Sequence, residues 1–334
     1  MTGAADEAVR AALAGALPLW FGPGARLASL GPARQHAWSH QFALEAHTAS
    51  GRRRLVVKVP RWEGVATLEE AVAAGPQEAT RQEHAALVAV VAAVDAAGDS
   101  GLAAVVPVGY LAGVNAVVTE RLEAVPLRSL LGWGPGGVGR RVELLQRAGR
   151  WLRLYHDRVA GAEAGALDGC ALAAEVERLP AGRRGGSREA AALARRARER
   201  HGAPAAVGAT HGDFNLSNVL ATPDGRVAAL DPNLVPGPLL EDAAKFLTDL
   251  RMRRGRAVTM GVLGRGGLRR AEAAFLDGYG GADPALLRLL QGVAALRRGA
   301  EMEERLAGAP GLLRRAATAV VRRYVAAELA RLAS

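Results

Sequence analysis

The segment Thr210–Asp231 constrains this chain more than any other, because it breaks a helical C-terminal two-thirds with two short strand-like stretches. Those stretches, Asn218–Ala221 and Arg226–Leu230, are joined by Thr222-Pro223-Asp224-Gly225, the residue types a tight turn requires. A hairpin placed there excludes a plain helical bundle. Ahead of it the chain is strand-rich: Arg26–Leu30, Gln41–His47 and Leu55–Val59 read as strands, the last two joined by Ala49-Ser50-Gly51. Met1–Leu17 reads as an opening helix, and Gln77–Val94 as a second, with Ala86, Leu87, Val90, Val91 and Val94 along one face. Two more strands, Ala103–Tyr110 and Ala116–Thr119, come from an uncharged run, Ser100–Thr119, that Pro107, Gly109 and Gly113 cut too short to span a membrane. Val142–Val159 is a long amphipathic helix. Ala160–Ala209 reads as helix in pieces around Gly185-Gly186, and everything after Glu241 as helix again. The expected class is α+β, with an antiparallel sheet and helix followed by a mainly helical unit that carries the hairpin.

Composition narrows the function classes. The formal charge is +10, yet the basic residues are scattered and form no arm or nucleic-acid motif, so no nucleic-acid partner is expected. The single cysteine, Cys170, cannot form an internal disulfide, and the first residues carry Asp6 and Glu7 ahead of Arg10 with no basic start before an apolar run; the expected location is cytoplasmic, without a membrane partner. Of 43 Lys and Arg only two are lysine, Lys58 and Lys245. Where arginine is the default cation, a surviving lysine is a candidate for a task that needs a compact ammonium.

The chemistry concentrates in His211-Gly212-Asp213-Phe214-Asn215-Leu216-Ser217-Asn218, the hairpin, and Leu230-Asp231-Pro232. Phosphoryl transfer needs positioning, one carboxylate near the acceptor hydroxyl, and hard oxygen ligands for Mg²⁺. Asp213 fits the carboxylate. Asn218, five residues on, and Asp231, returned by the hairpin, fit the metal ligands. The segment resembles the aminoglycoside phosphotransferase and choline kinase superfamily of kinase-like enzymes, and the resemblance runs from about residue 24 to the helix near Tyr279.

That resemblance implies a two-lobed protein-kinase-like fold with an N-lobe over 1–122, a hinge over 123–126 and a C-lobe over 127–334, with ATP and Mg²⁺ between the lobes. It makes Lys58, the one polar residue of Leu55–Val59, the phosphate-binding lysine. Its carboxylate partner is expected to be Glu83 rather than Glu78, because the positions three, four, seven and eight beyond Glu83 are Ala86, Leu87, Val90 and Val91. Val117–Leu127 resembles the family's hinge, which implies that backbone groups of Glu120 and Leu122 pair with adenine; Ser39, in the turn after the first strand, is a candidate phosphate contact, and Gly237–Leu247 resembles the family segment in which an aspartate, here Asp242, braces the catalytic loop. Trp38 is expected to pack, Lys245 to be a helix-surface charge, and His156-Asp157 to end a core helix, since no Asn follows it five residues on.

Three rivals remain: a protein kinase, against which stand Gly212 in place of arginine and the lack of an Ala-Pro-Glu segment; a catalytically inactive kinase-like binding module; and a basic nucleic-acid binder. The expected reaction is transfer of the ATP γ-phosphoryl group to a hydroxyl of a small molecule by a monomer or homodimer, with an aminoglycoside resistance kinase as a special case. From Arg254 onward arginine outnumbers aspartate and glutamate roughly two to one, which leans toward a neutral or anionic acceptor; Glu301, Glu303 and Glu304 are the candidates for a local acidic patch.

Overall fold

The computed structural model describes residues 3–62, 64–130, 138–179, 188–252, 265–308 and 310–333. Strands are β1 (Arg26–Leu30), β2 (Arg34–Gln35), β3 (Ser39–Thr48), β4 (Gly51–Pro60), β5 (Pro107–Leu111), β6 (Ala116–Glu120), β7 (Val125–Pro126), β8 (Glu163–Ala166), β9 (Pro204–Thr210), β10 (Val219–Ala221), β11 (Val227–Ala229) and β12 (Val235–Pro238). The first sheet runs β1-β3-β4-β6-β5, with β2 also paired to β3. Its register follows from alternation. Phe42, Leu44 and Ala46 on β3 and Leu55, Val57 and Val59 on β4 are buried, and a one-residue slip would expose them all. The opening helix, Ala4–Phe21, lays Val9, Leu13, Ala16 and Leu17 into the same apolar cluster, while Lys58, between two buried valines, points to the opposite face of the sheet.

The C-terminal unit has its own, larger core, centred on Trp151, Tyr155, Phe214, Phe246 and Phe275. Two helices, Val138–Arg158 and Arg265–Tyr279, cross there at backbone distance, because a Cβ on Gly149 would stand 2.1 Å from the Phe275 carbonyl oxygen and one on Gly278 would stand 2.0 Å from that of Gln146. The architecture is therefore the expected α+β, in two lobes. No helix among the described residues is long and apolar enough to cross a membrane.

Several expectations need correction. Ala160–Ala209 is not helical throughout: β8 and β9 lie inside it and pair with each other and with β12, which the sequence reading lacks altogether. Alanine and glycine mislead here. The strands use small residues because the backbone is crowded, with Gly208 against the Ala160 carbonyl and Gly165 against the Val207 side chain. Gly185-Gly186 lies outside the described residues. The strand expected from Ala103 begins only at Pro107, because Leu102 first bridges to Val227 and the Ala103 amide donates to the Val227 carbonyl. That apolar run is buried as a connection between the lobes rather than as a strand. A short helix, Leu68–Ala73, opened by a Thr67/Glu70 capping box, is also absent from the sequence reading. Trp38 does not pack; it is 67% exposed at the turn between β2 and β3.

Candidate active site

Two sets of side chains meet where the first sheet approaches the His211 loop and the hairpin. In the first, Lys58 Nζ donates to Glu83 Oε1 at 2.8 Å and to Asp231 Oδ1 at 2.7 Å. The helix Glu78–Ala97 supplies Glu83 from the face that carries Ala86, Leu87 and Val90 to the sheet and core, as its spacing implied, whereas Glu78 pairs outward with Arg81. Burial by itself would lower the Lys58 pKa, but the carboxylates of Asp231 and Glu83 outweigh it and hold the ammonium charged well above its usual range. Glu83 is pushed upward, by burial first and by Asp231, with Lys58 opposing.

The second set comes from the loop that starts at His211. Gly212 has φ +75°, and a Cβ there would stand 2.8 Å from Val235 Cγ2, so glycine is required and an arginine is excluded. Asp242, buried on the helix Leu240–Met252, accepts from the His211 amide at 2.6 Å and the Gly212 amide at 2.9 Å. His156 Nε2 stands 3.0 Å from Asp242 Oδ2 and its Nδ1 stands 2.9 Å from the Tyr279 hydroxyl, so the residue that imitates a catalytic pair in the sequence helps to hold the brace instead. The Tyr279 hydroxyl, desolvated first and close to Asp242 and Asp157, is pushed up to about 12 despite Arg153.

Asn218 links the reactive groups. Its amide nitrogen donates to Asp213 Oδ2 at 2.7 Å, and its backbone carbonyl accepts from the amide of Leu230, the residue before Asp231. Asn215 Nδ2 reaches Asp213 Oδ1 at 2.9 Å while its own carbonyl oxygen caps the amides of Ser217 and Asn218. Among the described residues, the side-chain carbonyl oxygen of Asn218 and Oδ2 of Asp231 have no protein partner, so two hard oxygens are open where the sequence reading put a cation. Asp231 itself has φ +58°, a left-handed conformation that turns its side chain off the end of β11 toward Lys58.

The remaining candidates are placed unevenly. The Glu120 amide donates to the Val106 carbonyl, and the Leu122 side chain packs against the buried cluster of Leu87, Val105 and Val117, as does Leu230. Ser39 is buried at the start of β3, its hydroxyl accepting from Gln41, and among the described residues no hydrogen bond joins it to Lys58, Asp213 or Asp231. Lys245 is the main correction. Its Nζ stands 2.8 Å from Asp213 Oδ1 and donates to the Gly212 carbonyl at 2.7 Å, so it belongs to the site rather than to the helix surface. The signal was present in the scarcity of lysine: both lysines stand on site carboxylates. Asn215, also scarce by type, was likewise passed over.

A family model described as "Phosphotransferase enzyme family" matches residues 33–290. No curated protein matches the chain in sequence. Among solved structures, a choline/ethanolamine kinase family protein from Mesorhizobium loti covers 98% of this chain and 99% of its own at 18% identity and a TM-score of 0.56. A macrolide 2′-phosphotransferase from Brachybacterium faecium covers 93% and 97% at 16% identity and a TM-score of 0.52. An amicoumacin kinase solved with AMP-PNP, Ca²⁺ and its antibiotic covers 93% and 90% at 12% identity and a TM-score of 0.56. With the fold matched end to end and the family model spanning most of the chain, this protein belongs to the phosphotransferase enzyme family.

Proposed function

We propose that this enzyme transfers the γ-phosphoryl group of ATP, in the presence of Mg²⁺, to a neutral or anionic hydroxylated small molecule, with Asp213 as the catalytic carboxylate. One observation carries the reading: Asn218 ties Asp213 and the strand that ends at Asp231 into a single unit opposite Lys58. In this reading the lobes are 1–122 and 127–334, and the nucleotide enters between them with its base against backbone groups of Glu120 and Leu122. Lys58, steadied by Glu83, exchanges its bond to Asp231 for the α/β-phosphates. The open oxygens of Asn218 and Asp231 would hold the metal, which when bound neutralises phosphate charge. Ser39 remains a candidate phosphate contact that needs a movement of its strand end. Asp213 Oδ2 then receives the proton of the acceptor hydroxyl, and Asp242 keeps the loop from moving while it does so.

The acceptor class follows from charge. A lysine on the catalytic carboxylate opposes docking of a polycation at that point. Two of the three residues of the acidic patch that could have attracted one are paired, Glu301 with Arg298 and Glu303 with Arg322. Part of the arginine excess is occupied in the same way, at Arg297 with Glu175 and Glu241 and at Arg331 with Glu328. The test is ADP release from MgATP with a panel of sugars, nucleosides, macrolides, amino alcohols and aminoglycosides. Turnover with neutral or anionic members is expected. Micromolar KM values for kanamycin-like substrates alone would overturn the acceptor class and leave the kinase reading standing.

A further inference from the structure

Lys245 has a second relationship to the site that its charge alone does not express. It leaves the helix Leu240–Met252 three residues after Asp242, on the same face, so one turn of helix grips the catalytic loop twice. Asp242 takes the loop's amides at His211 and Gly212; Lys245 takes its carbonyl at Gly212 and its carboxylate at Asp213. Only a compact ammonium with several donors can bridge a backbone carbonyl and the side chain of the next residue at 2.7 and 2.8 Å.

The consequence lies in the carboxylate. An ionised carboxylate has about four acceptor positions, two on each oxygen. Oδ1 of Asp213 accepts from Asn215 and is further covered by the Lys245 ammonium, which stands 2.8 Å from it as an ion pair, while Oδ2 accepts from Asn218 alone. One position is therefore left, on Oδ2. The pair itself is 39% and 38% exposed, so its contribution to folding is small and the loop is anchored without it by Asp242.

We propose that Lys245 is a positioning residue for the transfer reaction: with Asn215 it saturates Oδ1 of Asp213 and thereby presents Oδ2 to the acceptor hydroxyl. This rests on the reading of Asp213 as the catalytic carboxylate. Losing Lys245 leaves Oδ1 held by Asn215 alone, so the carboxylate can shift within its loop, and misplacement of a reacting group by about 1 Å costs on the order of 10²-fold.

The experiment measures MgATP turnover by ADP release, with water as the acceptor and again with the best acceptor from the panel, for wild type, Lys245→Met and Lys245→Ala. Ethylammonium chloride is added to the alanine variant to refill the space with an untethered ammonium. The expected result is a kcat lower by about 10–100-fold, a KM for ATP within about twofold of wild type, an unchanged Tm, and partial recovery with ethylammonium in the alanine variant only. A kcat within about twofold of wild type overturns the proposal. So does a fall in kcat matched by lost ATP affinity or a lowered Tm, or one that the amine leaves untouched, since those describe a structural role. A wild-type protein that turns over no MgATP with any acceptor overturns the kinase reading and this proposal with it.

Discussion

The two lysines make the useful comparison. Lys58 and its carboxylates are withdrawn from solvent, with Lys58 and Glu83 side chains 17% and 10% exposed, whereas Lys245 and Asp213 stand open to solvent. A buried charge depends on its partners for stability as well as for function, because removing one member strands the others in a poorly solvated place. An open pair is screened and nearly neutral for folding. The same residue type on the same kind of partner is thus buried with its carboxylates in one place and solvent-screened in the other, where the proposed role is in the chemistry rather than in folding.

Substitutions can break that comparison or sharpen it. Lys58→Met, the most disruptive, leaves Glu83 and Asp231 unpaired; it is expected to abolish ATP binding and to lower unfolding stability by about 3 kcal/mol, the low end for a buried pair because Asp231 keeps some solvent. Lys58→Arg should also fail in turnover, since a planar guanidinium cannot take the place of a point-like ammonium between two carboxylates. Nucleotide titration and chemical denaturation check both, and wild-type turnover by the arginine variant would erase the distinction between the two cations.

His211 gives a smaller and pH-dependent effect. It is fully buried among Trp151, Tyr155 and Phe214, both ring nitrogens lack a protein partner among the described residues, and its pKa lies below 6.5 because burial outweighs the nearby carboxylates of Asp242, Asp213 and Asp231. Below pH 6.5 the unfolded chain binds a proton that the folded one does not, so stability falls as pH falls, by up to about 1.4 kcal/mol per unit until the folded pKa is reached. His211→Phe should flatten that part of the curve in denaturation series between pH 7.5 and 5.5; an unchanged slope would mean that the imidazole is solvated. The smallest effect is that of Lys245→Met on stability, expected within about 1 kcal/mol. A larger loss would make Lys245 as structural as Lys58.

What the sequence discloses divides along the same line between local and distant partners. The spacing of Asp213 and Asn218, the turn at Thr222–Gly225 and the face of the helix carrying Glu83 are set within a few residues, so the loop, the hairpin and the Lys58 pairing were legible. The strands β8, β9 and β12 were not, because alanine, glycine and valine take their strand conformation from partners elsewhere in the chain rather than from propensity. Helical spacing described Lys245 as a surface cation, since its helix neighbours say nothing about Asp213 on another element. His156 likewise found its partner, Asp242, 86 residues away. Trp38 shows the opposite error: expected to pack, it stands 67% exposed at the turn between β2 and β3.

The central claim is that Asp213 receives the acceptor proton while the rest of the site holds the nucleotide. Transfer of labelled γ-phosphoryl from MgATP to the acceptor, followed for wild type and Asp213→Asn together with ATP affinity, tests it most directly. The asparagine variant keeps the shape and the hydrogen-bonding size of the side chain, so ATP should bind as in wild type while kcat falls by about 10²–10⁴, the contribution of a positioned base. Near-normal transfer by that variant would contradict the assignment and, with it, the chemistry derived for this loop.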